Sequence, residues 1–405
     1  MKSPVEHPPE QPRLKLTIRP AAENCVRSGH PWVYADSIRR QNREGEIGEL
    51  AVIYDRNDRF LAVGFYDPTS PLRVRILHYG KPVLIDEGFW SKRFREAHLR
   101  REGLVDAATT GLRLINGESD GFPGLVLDRY DTTLVLKLYA VAWLARIPLL
   151  REQIVARWQP ERLVLRLSRN LEGAGPGQEG SVLHGIAPSG PVVFLESGLR
   201  FEADVLCGQK TGFFLDQREN RRRVETLSQG SEVLNAFSFS GGFSLYAARG
   251  GATSVTDLDL SRHALDSARR NFALNQSDAR VASCRHQTEQ ADAFTWMDQA
   301  PAGSFDLVVV DPPSLAKRER ERERAIRAYQ SLHASAIRLL RRQGTLVAAS
   351  CSAHVSEEEF IGAVRAAAIR SGRRFEILGQ TGHAPDHCVS FPEARYLKAV
   401  FIRFE

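Results

Sequence analysis

The residues able to do chemistry in this chain gather where apolar runs stop. Asn235-Ala236-Phe237-Ser238-Phe239-Ser240-Gly241-Gly242-Phe243-Ser244 leaves the strand-like run Glu232–Phe237 and opens a helix. Its two glycines let a backbone approach a ligand closely, and the N–H groups of a helix start attract carboxylate or phosphate. Asp259 ends the next strand-like run, where a carboxylate can accept hydrogen bonds from both hydroxyls of a ribose. Asp292, in Ala291-Asp292-Ala293-Phe294, falls where a third strand should end and can meet an adenine amino group. Asp311-Pro312-Pro313 ends the fourth, its prolines fixing the backbone where a substrate would lie and its carboxylate facing a base edge. The competing role for Asp311 is a helix N-cap with proline in the first turn. Last comes Ser350-Cys351-Ser352, after Gly344–Ala349. A cysteine is more often a small buried hydrophobe than a reagent, so its surroundings must decide.

These positions need a scaffold that brings strand ends together. From about residue 200, strands at Glu232–Phe237, Ser254–Asp259, Phe305–Val310 and Thr345–Ala349 alternate with helical segments. That rhythm predicts an α/β domain, a doubly wound parallel sheet with its ligands at the carboxyl ends of the strands. A nucleotide-like cofactor, NAD or S-adenosylmethionine, suits the glycine turn and Asp259. No G-x-G-x-x-G is present, which argues against NAD. Asp257 reads as a solvent-facing strand residue. The alternating charges of Lys317–Arg324 read as a solvated helix laced with i,i+3 pairs.

Upstream, Glu49–Tyr54, Phe60–Tyr66 and Leu72–Leu77 predict a small β-barrel over residues 13–80. An α+β domain over 81–197 follows: a basic helix near Phe89, strands at Gly124–Asp128 and Thr133–Leu138, a helix across Trp143–Trp158 and a strand at Leu163–Leu167. The glycine-rich 172–180 reads as a loop, residues 1–12 as a disordered proline-rich lead-in, and 198–405 as the α/β domain.

Of the 405 residues, 42% are hydrophobic and 26% charged, the balance of a globular, soluble protein. Without a long apolar run or an apolar leader, membrane residence is not expected, and the cytoplasm is the expected location. Five scattered cysteines form no CxxC or Cys/His cluster, so neither a disulfide framework nor a metal site is expected. The formal charge of +6 is compatible with a polyanionic partner.

Taken together, Gln209-Lys210-Thr211-Gly212-Phe213-Phe214-Leu215-Asp216-Gln217-Arg218-Glu219-Asn220-Arg221, Phe239–Ser244, Asp311-Pro312-Pro313 and Ser350-Cys351-Ser352 resemble the RlmI-type 23S ribosomal RNA cytosine-5 methyltransferases in order and spacing. His30-Pro31-Trp32-Val33-Tyr34 resembles the entry to that family's PUA domain, and Asn116–Leu125 the signature of its central domain. The likeness runs from about Leu14 to the end. It implies an RNA-binding PUA domain, a central α+β domain and a Rossmann-like domain using S-adenosylmethionine, with large-subunit ribosomal RNA as partner and a second copy of the chain as a candidate one. By the same resemblance Lys210, Thr211, Phe213, Asp216 and Arg218 would contact the cofactor, joined by Asn235, Phe237, Ser238, Gly241, Gly242, Asp259, Asp292 and Asp311. Cys351 matches the nucleophile and Asp311 the substrate-facing acid. Pro312, Pro313, Ser350 and His387 would border the base, with the serine hydroxyls free to bond sulfur or base.

A nucleophilic cysteine discriminates between reactions. Cytosine carbon 5 attacks a methyl sulfonium poorly until a thiolate has added to carbon 6, whereas a nitrogen already has its lone pair. A thiol of ordinary pKa near 8.5 then calls for a positive or hydrogen-bonding neighbour. His387 is one candidate for the base that takes the carbon 5 proton. A loop histidine paired with Asp386 is the plainer reading, and Cys388 reads as structural. Two alternatives remain at this point: methylation of a guanine or adenine nitrogen, which the Asp-Pro-Pro motif suits, and a noncatalytic RNA-binding assembly factor.

Overall fold

The computed structural model describes residues 12–173 and 177–405; the expected lead-in, except Pro12, and the middle of the glycine-rich loop lie outside the described residues. Two compact units form. The first takes the chain up to Arg100 with Leu114–Leu127 and Val135–Ile186, and the second takes Arg101–Arg113, Asp128–Leu134 and Ala187–Glu405.

Within the first unit, the three strands read from the sequence appear as Leu50–Tyr54, Phe60–Tyr66 and Leu72–Tyr79. Leu14–Ile18, Trp32–Tyr34 and Ile38–Gln41 join them in one six-stranded sheet, with Leu14–Ile18 parallel to Leu50–Tyr54. Leu14, Leu16, Ile18, Val33, Ile53, Val74 and Ile76 close its core. The helix begun near Phe89 is Glu87–Leu99, capped by Asp86, whose carboxylate accepts from the Phe89 N–H. Trp90 from this helix packs edge-on to Trp143 at 5.2 Å. The helix expected from Trp143 opens as a 3-10 turn, Val141–Arg146, and becomes α-helical only at Ile147, where Pro148 occupies the first turn and lacks an N–H to give.

The second unit holds the doubly wound sheet. Its strands are β1 (Glu232–Ala236), β2 (Ser254–Asp259), β3 (Arg285–Gln290), β4 (Phe305–Val310), β5 (Leu340–Ser350), β6 (Phe375–Thr381) and β7 (Lys398–Phe404). Their spatial order is β3-β2-β1-β4-β5-β7-β6. The first five run parallel, while β7 is antiparallel to both β5 and β6. The longer helices are α1 (Arg218–Leu227), α2 (Gly242–Arg249), α3 (Arg262–Leu274), α4 (Ala293–Gln299), α5 (Arg322–Leu339) and α6 (Glu357–Arg370), and a five-residue helix, Ala279–Ser283, lies between α3 and β3. Helices on both faces keep the inner strands apolar: Val308, Val310, Leu346 and Ala348 are completely buried. The order reverses between β1 and β4, and crevices for ligands open outside the strand ends at such a point. Among the described residues no helix is long and apolar enough to cross a membrane.

Candidate active site

The turn after β1 is bent to an unusual degree. Phe237 and Phe239 hold φ of 59° and 50°, and Gly241 holds 72°. A non-glycine residue in the left-handed region costs about 1–2 kcal/mol, so two in three residues imply a conformation fixed by its surroundings. Those surroundings are visible: the Phe239 N–H donates to Asp259 Oδ2 at 2.9 Å, and the Ser238 N–H to the Leu258 carbonyl at 3.1 Å. A Cβ at Gly241 would stand 2.9 Å from both Ala268 Cβ and Asp257 Oδ2, so the position admits only glycine.

Asp257 is not the solvent-facing residue expected. It is fully buried, its Oδ1 accepting from Asn235 Nδ2 at 3.0 Å and Ser244 Oγ at 2.5 Å, its Oδ2 lying 2.8 Å from His286 Nε2. Strand β2 lies inside a sheet covered on both faces, so alternation along it has no wet side. Asn235, expected at the cofactor, is a member of this network, although its Oδ1 has no protein partner.

Several buried polar atoms around the turn are left without a partner: Ser238 Oγ, Ser240 Oγ, Asn235 Oδ1 and Asp216 Oδ1. Buried donors and acceptors are normally paired, so this cluster marks a place where a polar ligand completes the bonding. Asp259 is half-buried beside the exposed Leu260, with Oδ1 accepting from the Ser261 N–H at 2.8 Å. Asp292 is exposed at the end of β3 and caps α4 through the Thr295 N–H at 2.9 Å. Phe294 stands edge-on to Phe237 at 5.8 Å.

The segment before α1 contributes differently from what the resemblance implied. Asp216 sits at its centre, with Oδ2 accepting from Lys210 Nζ at 2.8 Å and Tyr396 OH at 2.7 Å. Burial opposes its ionisation, but Lys210, His387 and Tyr396 outweigh burial and hold the carboxyl well below its usual range. Thr211, Phe213 and Arg218 are instead committed to protein. Thr211 Oγ1 donates to Asp128 Oδ2 at 2.6 Å and meets Tyr130 OH at 2.8 Å; Phe213 packs on Phe201 at 5.0 Å beneath the Arg221 guanidinium; Arg218 Nη2 donates to Asp386 Oδ1 at 2.8 Å. Their side chains position the segment, whereas Asp216 keeps a buried Oδ1 without a protein partner.

At the reacting end, Asp311 Oδ2 accepts from Gln217 Nε2 at 2.9 Å. Burial, reinforced by Asp216, pushes this carboxyl up to about 7. No helix follows Pro313, and the chain stays irregular until the 3-10 turn Glu319–Glu321, so Asp311 is not an N-cap. The expected charged helix over 317–324 likewise starts late, at Arg322, with the pair Arg322–Glu319 at its edge. Pro312 is buried and Pro313 exposed.

Cys351 is half-buried just past β5, and burial, with Asp311 and Asp216 adding, pushes its thiol up to about 11. The two chemically expected groups thus follow the ends of neighbouring parallel strands, β4 and β5. The flanking serines do not open into it: both are fully buried, Ser350 Oγ lying 2.8 Å from Tyr329 OH and Ser352 Oγ donating to the Ala316 carbonyl at 3.1 Å. Ser350 is therefore a strut and not a substrate contact. His387 is also buried, its Nδ1 3.4 Å from Asp386 Oδ1, which fits the loop pair better than a base facing the substrate. Sequence reasoning passed over Gln217, Tyr396 and Lys398. Only Lys398 left a cue, a lysine in register with Val400, Ile402 and Phe404 on the inward face of β7.

The sheet order, the glycine turn and the acids at successive strand ends define an S-adenosylmethionine-dependent methyltransferase. Residues 182–401 match the family model described as S-adenosylmethionine-dependent methyltransferase, and residues 16–79 that of the PUA-like domain. A protein of Deinococcus radiodurans, "Ribosomal RNA large subunit methyltransferase", is 57% identical over 407 residues, covering 97% of this chain and 98% of its own. "Ribosomal RNA large subunit methyltransferase I" of Shewanella denitrificans is 34% identical over 399 residues, covering 96% and 99%. Among solved structures, SMU.776 complexed with SAH superposes with a TM-score of 0.80 at 23% identity, covering 96% of this chain and 99% of that one. This chain belongs to the RlmI-type family of ribosomal RNA large-subunit methyltransferases.

The residues present fit the cofactor. Ser238, Ser240, Asn235 and Asp216 offer the unmatched polar atoms, and Asp259 and Asp292 lie at the ends of successive parallel strands beside the turn.

Proposed function

We propose that the enzyme methylates carbon 5 of a cytosine in 23S ribosomal RNA, with Cys351 as nucleophile at carbon 6 and the PUA-like domain holding RNA. The bound cofactor supplies the electrophilic methyl group. The observation that carries this reading is the placement of Cys351 and Asp311 directly after the ends of the paired parallel strands β5 and β4, with β4 next to the strand that carries the cofactor turn. A carboxyl poised at about 7 is half protonated at neutral pH and can donate a hydrogen bond to the base near N3. As the Cys351 thiolate adds to carbon 6, the carbon 5–carbon 6 electrons move to carbon 5, and Asp311 stabilises the charge arriving on the ring. After methylation the carbon 5 proton leaves to a base, its bonding electrons restore the double bond, and the carbon 6–sulfur bond breaks to return the thiolate. With His387 buried against Asp386, water is the acceptor we favour. A ribosomal RNA substrate supports a cytoplasmic location.

The test is tritium release from [5-³H]cytosine-labelled ribosomal RNA. Methyl transfer should release tritium, and Cys351→Ala should abolish both. Methyl incorporation without tritium loss would assign the reaction to a nitrogen, as the Asp311-Pro312-Pro313 motif also permits, and calorimetry showing no cofactor binding would leave an RNA-binding factor.

A further inference from the structure

Lys398 is a lysine where an apolar residue belongs. It is 3% exposed, on the β7 face that continues through Val400, Ile402 and Phe404 into the core. A buried ammonium is costly unless paired, yet no carboxylate lies within ion-pair distance among the described residues. Glu359, on the nearest acidic helix, is engaged by Arg322 and by the Ser356 N–H.

What Lys398 does touch is the turn that carries the nucleophile. Its Cα is the register partner of Ser350, and its Nζ donates to the Ser352 carbonyl at 2.5 Å and to the Val355 carbonyl. Cys351 is therefore bracketed, with Lys398 held against the residue before it and the residue after it. Two carbonyls use two of the three ammonium N–H bonds.

On the reading of Cys351 as nucleophile, we infer that Lys398 is its counter-charge: a positioning residue whose ammonium clamps the Ser352–Val355 turn and stabilises the thiolate. The surrounding charges leave this task open. Asp311 from the end of β4 and Asp216 from the segment before α1 both oppose the thiolate, and Lys210, which favours it, is bonded to Asp216. Tyr329 from α5 and Tyr396 ahead of β7 face the same space with their phenols pushed to stay neutral, and Glu357 and Glu359 at the start of α6 act on Lys398. Burial lowers Lys398 to about 8, with Cys351 pulling the other way.

The experiment follows iodoacetamide alkylation of the Cys351 peptide against pH in the full-length enzyme by mass spectrometry, for wild type, Lys398→Arg, Lys398→Met and Lys398→Gln. Glutamine keeps two N–H donors for the carbonyls and removes the charge, so it separates clamp from counter-charge. At pH 7, where the Lys398 ammonium is present, the alkylation rate should fall about tenfold or more in Lys398→Gln and Lys398→Met and stay near wild type in Lys398→Arg. A Lys398→Gln enzyme that melts like wild type and is alkylated at the wild-type rate at pH 7 overturns the proposal, whether or not Lys398→Met folds. Tritium release by Cys351→Ala reports separately: activity there would end the nucleophile reading without touching the alkylation result.

Discussion

Replacing Gly241 by alanine perturbs the cofactor turn at its tightest point. The left-handed φ of 72° costs an alanine about 1–2 kcal/mol. The new methyl would also sit 2.9 Å from Ala268 Cβ and Asp257 Oδ2, against the roughly 3.5–4.0 Å of a comfortable contact. Neither neighbour yields easily, since Ala268 is part of α3 and Asp257 is held by Asn235, Ser244 and His286. Overpacking of this kind adds about 1–3 kcal/mol, for a total of about 2–5 kcal/mol. Part appears as lost stability and part as a displaced turn. Because about 1.4 kcal/mol is tenfold in affinity, isothermal calorimetry should show S-adenosylmethionine binding weakened at least tenfold, with a fall in melting temperature of several degrees. Adding Ala268→Gly removes one clash but not the φ cost, so it should recover part of the loss. Gly241→Ala binding cofactor within threefold of wild type at an unchanged melting temperature would refute the assignment of this turn as the cradle.

Gln217→Leu removes the donor that favours the ionised form of Asp311, so the inflection near pH 7 in the pH profile of kcat/KM should move up by about one to two units, and Asp311→Asn should erase it. His333 is fully buried, and burial, only partly offset by the Tyr329 backbone, pushes it down to about 4. The unfolded chain takes up that proton below about 6.5 and the fold does not, so stability should fall by about 2–3 kcal/mol as pH drops from 7 to 4.5; chemical denaturation of His333→Leu should lack that slope. Glu196 and Arg221 form a buried pair with bonds of 2.7 Å at both oxygens. Glu196→Gln strands the guanidinium and should cost about 3–5 kcal/mol, read as a lower melting temperature, while Glu196→Leu with Arg221→Leu should cost less.

The parallel strands and their loaded ends were legible because an apolar run followed by Gly-Gly or Asp is a local signal. Asp257 was not: the polar residues in Ser254–Asp259 mimic alternation, and only the neighbouring strands and helices show that both faces are dry. The antiparallel β7 escaped for a similar reason, since its pairing with β5 joins residues some fifty apart. At the site, the acids could be placed by strand position, but the partners of Thr211, Arg218 and Ser350 lie on distant segments, and a hydroxyl or guanidinium carries no mark of whether it faces ligand or protein.

The interleaved course of the chain has a consequence for biosynthesis. Arg101 and Arg113 leave the ribosome well before Asp386, yet the Arg101 Nη2 donates to the Asp386 carbonyl and the Arg113 N–H to its carboxylate, across 285 and 273 residues of sequence. Asp128, partner of the Arg113 guanidinium, likewise waits for Thr211. A nascent chain therefore cannot close its second unit before Asp386 has been made, and a fragment starting at Ala187 lacks the segments Arg101–Arg113 and Asp128–Leu134 that belong to this unit. Vectorial synthesis therefore keeps the Arg113 segment waiting for a partner made 273 residues later.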